Sequence, residues 1–146
     1  MEAIYEHKIV VLQSAIDTNM HVNNVVYVQW MQDAATAHSD SLGFTSEFYD
    51  KIGSTWVARS HFIEYLSPAF LGEELVVQTW ISSIKRFSSN REYAFFRKSD
   101  KMLLARAKTV WIYLNANGKP GRIPDELLAK YIADESYEPK LRDSAK

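Results

Sequence analysis

Between Ile4 and Leu12 apolar and polar side chains alternate, with Tyr5, Ile9 and Val11 on one side and Glu6 and Lys8 on the other. His7 and Val10 blur the pattern, but a strand with one buried face is the expectation. The period then changes. Val25, Val26, Tyr27, Val28, Trp30, Met31, Ala34, Ala35 and Ala37 leave hardly any polar face for three turns, and polar residues gather only later, at Gln32, Asp33, His38, Ser39 and Asp40. A helix apolar nearly all round is expected to be buried. Asn23 or Asn24 can cap its start and Gly43 suits the left-handed position past its end, so it should run from about Asn24 to Ser41. At 1.5 Å per residue its length is about 27 Å, the width of five or six strands at about 4.8 Å spacing. One long helix could lie across one sheet.

Residues 44–52 read as a short helix or irregular segment with Thr45 or Ser46 as cap, and after Gly53 the chain turns strand-like for about sixty residues. Four runs stand out, at 55–66, 74–84, 90–97 and 102–114. In the second, Val77, Thr79 and Ile81 alternate with Val76, Gln78 and Trp80; in the last, Leu103, Ala105, Ala107, Thr109, Trp111 and Tyr113 share one face. Short turns between the runs make an antiparallel meander the simplest topology. Residues 115–121 form a strong turn cluster, Pro124 suits the first position of a last helix striped with Leu127, Leu128, Tyr131 and Ile132, and the charged tail 134–146 is expected to be loosely ordered. The order of elements predicts an α+β fold, a single antiparallel sheet wrapped around a central helix, in one domain over residues 1–146.

Composition narrows the chemistry. A chain of 146 residues with 47% hydrophobic and 24% charged side chains is an ordinary globular domain, and the absence of cysteine excludes disulfides, thiolate metal sites and a cysteine nucleophile. No run is apolar enough to span a bilayer and the first residues lack the features of a signal peptide, so a cytoplasmic location without membrane attachment is the default. The net charge of −1 argues against nucleic-acid binding, but the charge is uneven: the segment 85–108 is +6, leaving −7 elsewhere. Lys85, Arg86 and Arg91 in that segment are candidate contacts for a phosphate-bearing or acidic partner; the alternative is a solvated face of two strands.

The densest candidate chemistry precedes the long helix. Asp17, Asn19, His21 and Asn23 stand at alternate positions and can place or move protons, although such residues also favour turns and helix caps. His7, His38 and His61 show no ligand spacing and are read as structural or surface groups.

Asp17-Thr18-Asn19-Met20-His21-Val22-Asn23-Asn24-Val25-Val26-Tyr27 resembles the Asp-x-Asn-x-His-Val-Asn-Asn-x-x-Tyr signature of plant and bacterial acyl-ACP thioesterases, and residues 4–133 look like a hotdog-fold thioesterase of the 4-hydroxybenzoyl-CoA thioesterase type. Segments 63–69 and 118–124 look like further family punctuation. The resemblance implies homodimers or homotetramers joined through their sheets, active sites at the subunit boundary, acyl-CoA or acyl carrier protein thioesters as substrates, and no metal or other cofactor beyond the CoA or phosphopantetheine of the substrate. It implies Asp17 as general base or nucleophile, Asn19 and His21 as groups orienting water or the carbonyl, Asn23 as a support for the loop, and the amide of Asn24, with Val25 beside it, as oxyanion donor. Plant acyl-ACP enzymes carry a further acid on the strand after the helix; Pro68 aligns there, leaving open whether Glu64 or Asp33 supplies one. The competing expectation is a non-hydrolytic acyl-thioester-binding hotdog protein, with a dehydratase third, since fold does not fix function.

Overall fold

A computed structural model describes residues 3–142. Strand β1 (Tyr5–Val10) leads through a 3-10 turn (Gln13–Ala15) to α1 (Asn24–Ser41), then α2 (Ser46–Ile52), β2 (Thr55–Tyr65), β3 (Glu74–Ile84), β4 (Ser88–Arg97), β5 (Leu103–Leu114) and α3 (Asp125–Lys130). The five strands form one antiparallel sheet in the order β1-β3-β4-β5-β2, with α1 across one face. The long helix begins and ends where its caps predict: the Asn23 side chain accepts from the Val25 amide at 3.0 Å, and Gly43 takes φ 88° just beyond the last turn.

Two expectations about packing need correction. The meander holds for β3-β4-β5, but β2 lies at the far edge, paired with β5 and not with β3. Residues 66–73 make a connection longer than a hairpin turn and long enough to pass two strands at about 4.8 Å each. It is pinned as it crosses the end of the sheet, where Val22 donates to the Ala69 carbonyl at 2.9 Å and Val11 to the Glu73 carbonyl at 2.9 Å. The helix, in turn, buries only one stripe of this single chain, Tyr27, Trp30, Met31, Ala34, Ala35 and His38. Val25 and Val28 on its other side remain exposed, because one sheet covers one side.

The space between helix and sheet is divided. Toward the start of α1, Tyr27, Trp30 and Met31 pack on Val77, Tyr93, Phe95 and Leu104. Toward its end, Phe44, Ile81, Tyr113, Ile123, Leu127 and Tyr131 form a second apolar cluster. Between them the registers place Arg91 on β4 opposite Thr109 on β5 and diagonal to Thr79 on β3, all three buried. A bulge in β5 changes one assignment. Phe95 pairs with Ala105 but Phe96 with Leu103, so Leu104 is the extra residue; Leu104 joins the core under α1 while Leu103 turns to the outer face.

That outer face explains the tail. Val76, Trp80, Ala94 and Phe96 would leave a broad apolar surface, and residues 134–142 cover it rather than lying loose. Tyr137 meets Trp80 edge-on at 4.8 Å and donates to Gln78 Oε1 at 2.7 Å, Gln78 donates to the Lys140 carbonyl at 3.0 Å, and Leu141 is buried. Buried Leu141 and half-buried Tyr137 anchor an otherwise charged segment. The end of the tail, residues 143–146, lies outside the described residues.

Candidate active site

The Asp17–Asn23 stretch is a tight hairpin. Ile16 and Val22 bridge antiparallel, Asp17 N–H donates to the His21 carbonyl at 3.0 Å, and Met20, at φ 67°, turns the chain. Asp17 Oδ1 accepts from the Asn19 amide at 2.8 Å, the side-chain turn that aspartate favours. Its Oδ2 accepts no hydrogen bond among the described residues. His21 Nδ1 lies 3.4 Å from the Val22 carbonyl; with the proton on Nδ1, Nε2 is left as an acceptor. Asn23 N–H donates to the Ala15 carbonyl at 2.8 Å, which closes the hairpin onto the helix start.

The first amides of a helix have no partner within it and lie at the positive end of its dipole. Here they differ. The Val25 amide is occupied by the Asn23 side chain, and Val26 N–H donates to the Asn23 carbonyl at 3.0 Å, whereas the Asn24 amide has no partner among the described residues. The Asn24 carbonyl accepts from the Tyr65 hydroxyl at 3.0 Å, fixing the end of β2 to the first turn of α1. Tyr27, the last residue of the sequence signature, is a packing group whose ring makes edge contacts with Trp30, Tyr65 and Phe95 at 5.1–5.3 Å. Burial, reinforced by Tyr65, pushes its phenol up to about 12, so it stays neutral.

The other candidates disperse. Lys85 and Arg86 are exposed in the β3–β4 turn, at the end of β3 opposite the hairpin; at about 3.3 Å per residue, β3 separates the two ends by roughly 30 Å. Arg91 does not join them on the surface. It stands in phase with Tyr93 and Phe95 and points inward, where Nη1 donates to His38 Nδ1 at 2.9 Å and to Thr79 Oγ1 at 3.0 Å. Neither possible second acid reaches the hairpin. Glu64 alternates with Ile63 and Tyr65, which face the helix, and so turns to the outer side; Asp33 accepts from Gln29 at 2.8 Å on the exposed side of α1. Much of the remaining positive charge is paired locally, Arg97 with Glu73 at 2.7 Å and Asp100 at 2.9 Å, and Lys98 with Glu74 at 3.8 Å. The Arg97–Glu73 pair was not anticipated from sequence. With Arg97 Nη2 donating to the Pro68 carbonyl at 2.9 Å, it holds the connection on which Val22 rests.

A cavity of about 330 Å³ opens at the opposite end of α1, enclosed by the last turns of that helix, α2, α3 and the strand ends, with Arg91 in its lining. His38 beside it is held neutral: burial first, and then the Arg91 charge, lower its pKa to about 4. Its ring stacks on Tyr5 at 5.2 Å and meets Tyr131 edge-on at 5.9 Å.

Comparison with known proteins gives the chain relatives. Residues 11–131 match the family model of the thioesterase-like superfamily. Acyl-acyl carrier protein thioesterase ATL3, chloroplastic, of Arabidopsis thaliana is 23% identical over 90% of this chain and 70% of its own length. Oleoyl-acyl carrier protein thioesterase 1, chloroplastic, of the same plant is 23% identical over 94% of this chain, which spans only 40% of that protein. Among solved structures, a 1,4-dihydroxy-2-naphthoyl-CoA thioesterase from Synechocystis superposes with a TM-score of 0.80 at 18% identity, covering 86% of this chain and 93% of its own.

Proposed function

The chain belongs to the thioesterase-like superfamily and has the hotdog fold, and we propose that it hydrolyses acyl-CoA or acyl-ACP thioesters to the free acid and a thiol. The observation that carries this reading is the pairing of an open amide at Asn24, on the positive end of α1, with an Asp17 carboxylate whose Oδ2 is uncommitted on the adjoining hairpin. In this reading the thioester carbonyl oxygen sits on the Asn24 amide, which stabilises the negative charge that develops as the carbon is attacked. Asp17 Oδ2 either takes a proton from the attacking water or attacks directly to form an anhydride that water then opens. His21 and Asn19 orient water or the carbonyl, and Asn23 holds the hairpin through its cap. The thiolate leaves with the pantetheine arm, so CoA or phosphopantetheine enters as part of the substrate and no further cofactor is needed.

Assembly is part of the proposal. β2 is an eleven-residue edge strand with Val57, Phe62 and Tyr65 exposed, and a long apolar edge of this kind is normally covered. We assign it to pairing with a second copy, giving a homodimer or a pair of dimers. Lys85 and Arg86, remote from Asp17 within one protomer, would then serve a CoA or carrier protein held across the subunit boundary. Among the described residues no helix is long and apolar enough to cross a membrane.

The test is thiol release from aromatic, short and long acyl-CoAs and from acyl-ACP, with wild type and Asp17→Asn. The variant should retain the wild-type circular dichroism and lose turnover by about 10²–10⁴-fold. Near-wild-type turnover would sink the assignment of Asp17, and tight acyl-CoA binding by the wild type without thiol release would favour a non-hydrolytic binder.

A further inference from the structure

Among the described residues Arg91 is a buried cation without a counter-ion. Its side chain is 4% exposed, arginine stays protonated in proteins, and burying an ion costs several kcal/mol unless a partner compensates. Among the described residues no carboxylate approaches it; Nη1 makes both of its bonds, to His38 and to Thr79. Each acceptor is fixed in that role. Arginine can only donate, so His38 Nδ1 must keep its lone pair, and the Thr79 hydroxyl spends its proton on the Glu92 carbonyl at 3.0 Å. Three N–H groups remain, two on Nη2 and one on Nε, and the Nε–H with one Nη2–H forms the side edge of the planar guanidinium.

The surroundings of that edge are those of a binding chamber. Arg91 lines the 330 Å³ cavity together with the apolar walls of Phe44, Trp56, Ile81 and Leu127. The Trp111 indole lines the same wall, but its Nε1–H is buried beside the Tyr93 hydroxyl and is not open to the chamber. A charged donor edge set among these apolar walls, in a pocket of this volume, matches a ligand that is mostly hydrocarbon with one acceptor group at its inner end. The free edge selects the acceptor. Nη2 and Nε form a two-pronged fork that fits a planar carboxylate. Asp40 and Asp50, exposed at the rim, disfavour an entrant of higher negative charge.

We propose that this chamber receives the distal end of an acyl group whose thioester is held at the helix start of a second copy, because Thr55 and Trp56 at one end of β2 line the chamber, Tyr65 at the other end bonds Asn24, and antiparallel pairing of two β2 edges sets the one beside the other. The substrates are then thioesters whose acyl chain ends in a carboxylate, held in a two-point pair by Nη2 and Nε of Arg91. The proposal rests on the thioesterase reading above and names its substrate class. A methyl-terminated chain would leave the Arg91 charge facing hydrocarbon.

The experiment compares thiol release from matched pairs of acyl-CoAs, short to long, one of each pair ending in methyl and the other in carboxylate. Wild type should favour the carboxylate-ended member by about 10–100-fold in kcat/KM at the best length, the worth of a charge-assisted pair. In Arg91→Met the ratio should fall to one or below, mainly through KM. In Arg91→Lys, which keeps the charge and loses the fork, it should fall between. The wild-type ratio alone decides the matter if Arg91→Met fails to fold: equal handling of the pair, or preference for methyl, overturns the proposal. Inhibition by a plain fatty acid that depends on Arg91, without preference for carboxylate-ended thioesters, also overturns it by assigning Arg91 to the product carboxylate. If no thioester is hydrolysed, the function proposed above fails separately. The chamber is then judged by thermal shift: the monomethyl ester of a dicarboxylic acid should raise the Tm of wild type but not of Arg91→Met, the dimethyl ester should raise neither, and no difference between the esters overturns the chamber.

Discussion

The two ends of α1 are built in opposite ways. At its start, the groups of interest come from one short hairpin, Asp17 to Asn24, and are open to solvent or half-buried. At its end, the groups come from distant parts of the chain: His38 bonds Arg91 across 53 residues, Ser39 bonds the Tyr131 hydroxyl across 92 at 2.6 Å, and the Tyr113 hydroxyl donates to Ser54 across 59 at 2.6 Å. The first end has local hydrogen bonds and spare valences that suit chemistry. The second is closed by tertiary packing, and several of its polar groups are held by partners from elsewhere in the chain, while one edge of Arg91 stays free among the described residues. One helix thus carries a reacting end, on the reading proposed here, and a recognising end.

Substitutions can break or sharpen this contrast. Asp17→Asn has the largest expected effect, about 10²–10⁴-fold on turnover, with a melting temperature close to wild type, because its structural bond runs through Oδ1 and an asparagine oxygen can replace it. A large loss of stability there would make the hairpin a structural element and erase the distinction. At the other end the order should reverse. Leu127→Ala, under the chamber and fully buried, should cost about 2–5 kcal/mol in urea unfolding. Its effect on turnover per folded molecule should be smaller than that of Asp17→Asn.

His38 gives that end a pH signature. Its folded pKa, about 4, lies below the ordinary histidine value, so between about 6.5 and 4 the unfolded chain binds the extra proton and stability falls as pH falls. The part due to this residue is about 3 kcal/mol, fully present above pH 6.5. His38→Gln, which keeps an acceptor for Arg91, should flatten the difference in unfolding free energy between pH 6.5 and 4; an unchanged slope would assign the pH dependence elsewhere. The smallest effect belongs to the cap. Asn23→Ala should cost about 1 kcal/mol, and Asn23→Asp should restore most of it in the same unfolding assay.

The same contrast governs what could be read from the sequence. The helix limits and the cap were legible because each depends on neighbours in the chain, and the stretch ahead of them was legible as turn-forming, though not as the hairpin it makes. Arg91 was half legible. Counting by twos from Tyr93 and Phe95 puts it on the inward face, and His38 continues the stripe of Tyr27, Met31, Ala34 and Ala35, yet nothing local says that the two meet. The cover on the outer face left a similar clue, since β3 is apolar in both phases and Val76 and Trp80 require burial, but the segment that supplies it stands more than fifty residues away. The place of β2 left no clue at all. A proline-bearing connection of eight residues serves equally for a wide turn or a crossing, and the crossing is decided by where Val22 and Val11 find their acceptors.

That crossing bears on how the chain folds. Every partner of β2 lies forty or more residues downstream on β5, whereas β3, β4 and β5 close by short turns. Closing the larger loop costs more entropy, so the three-strand meander is the natural nucleus and β2 is added late, onto an edge already formed. Until then β5 offers that edge to the β2 of any neighbouring molecule. Folding at high concentration therefore risks exchanging this strand between copies, and dilution during refolding favours its pairing within one chain.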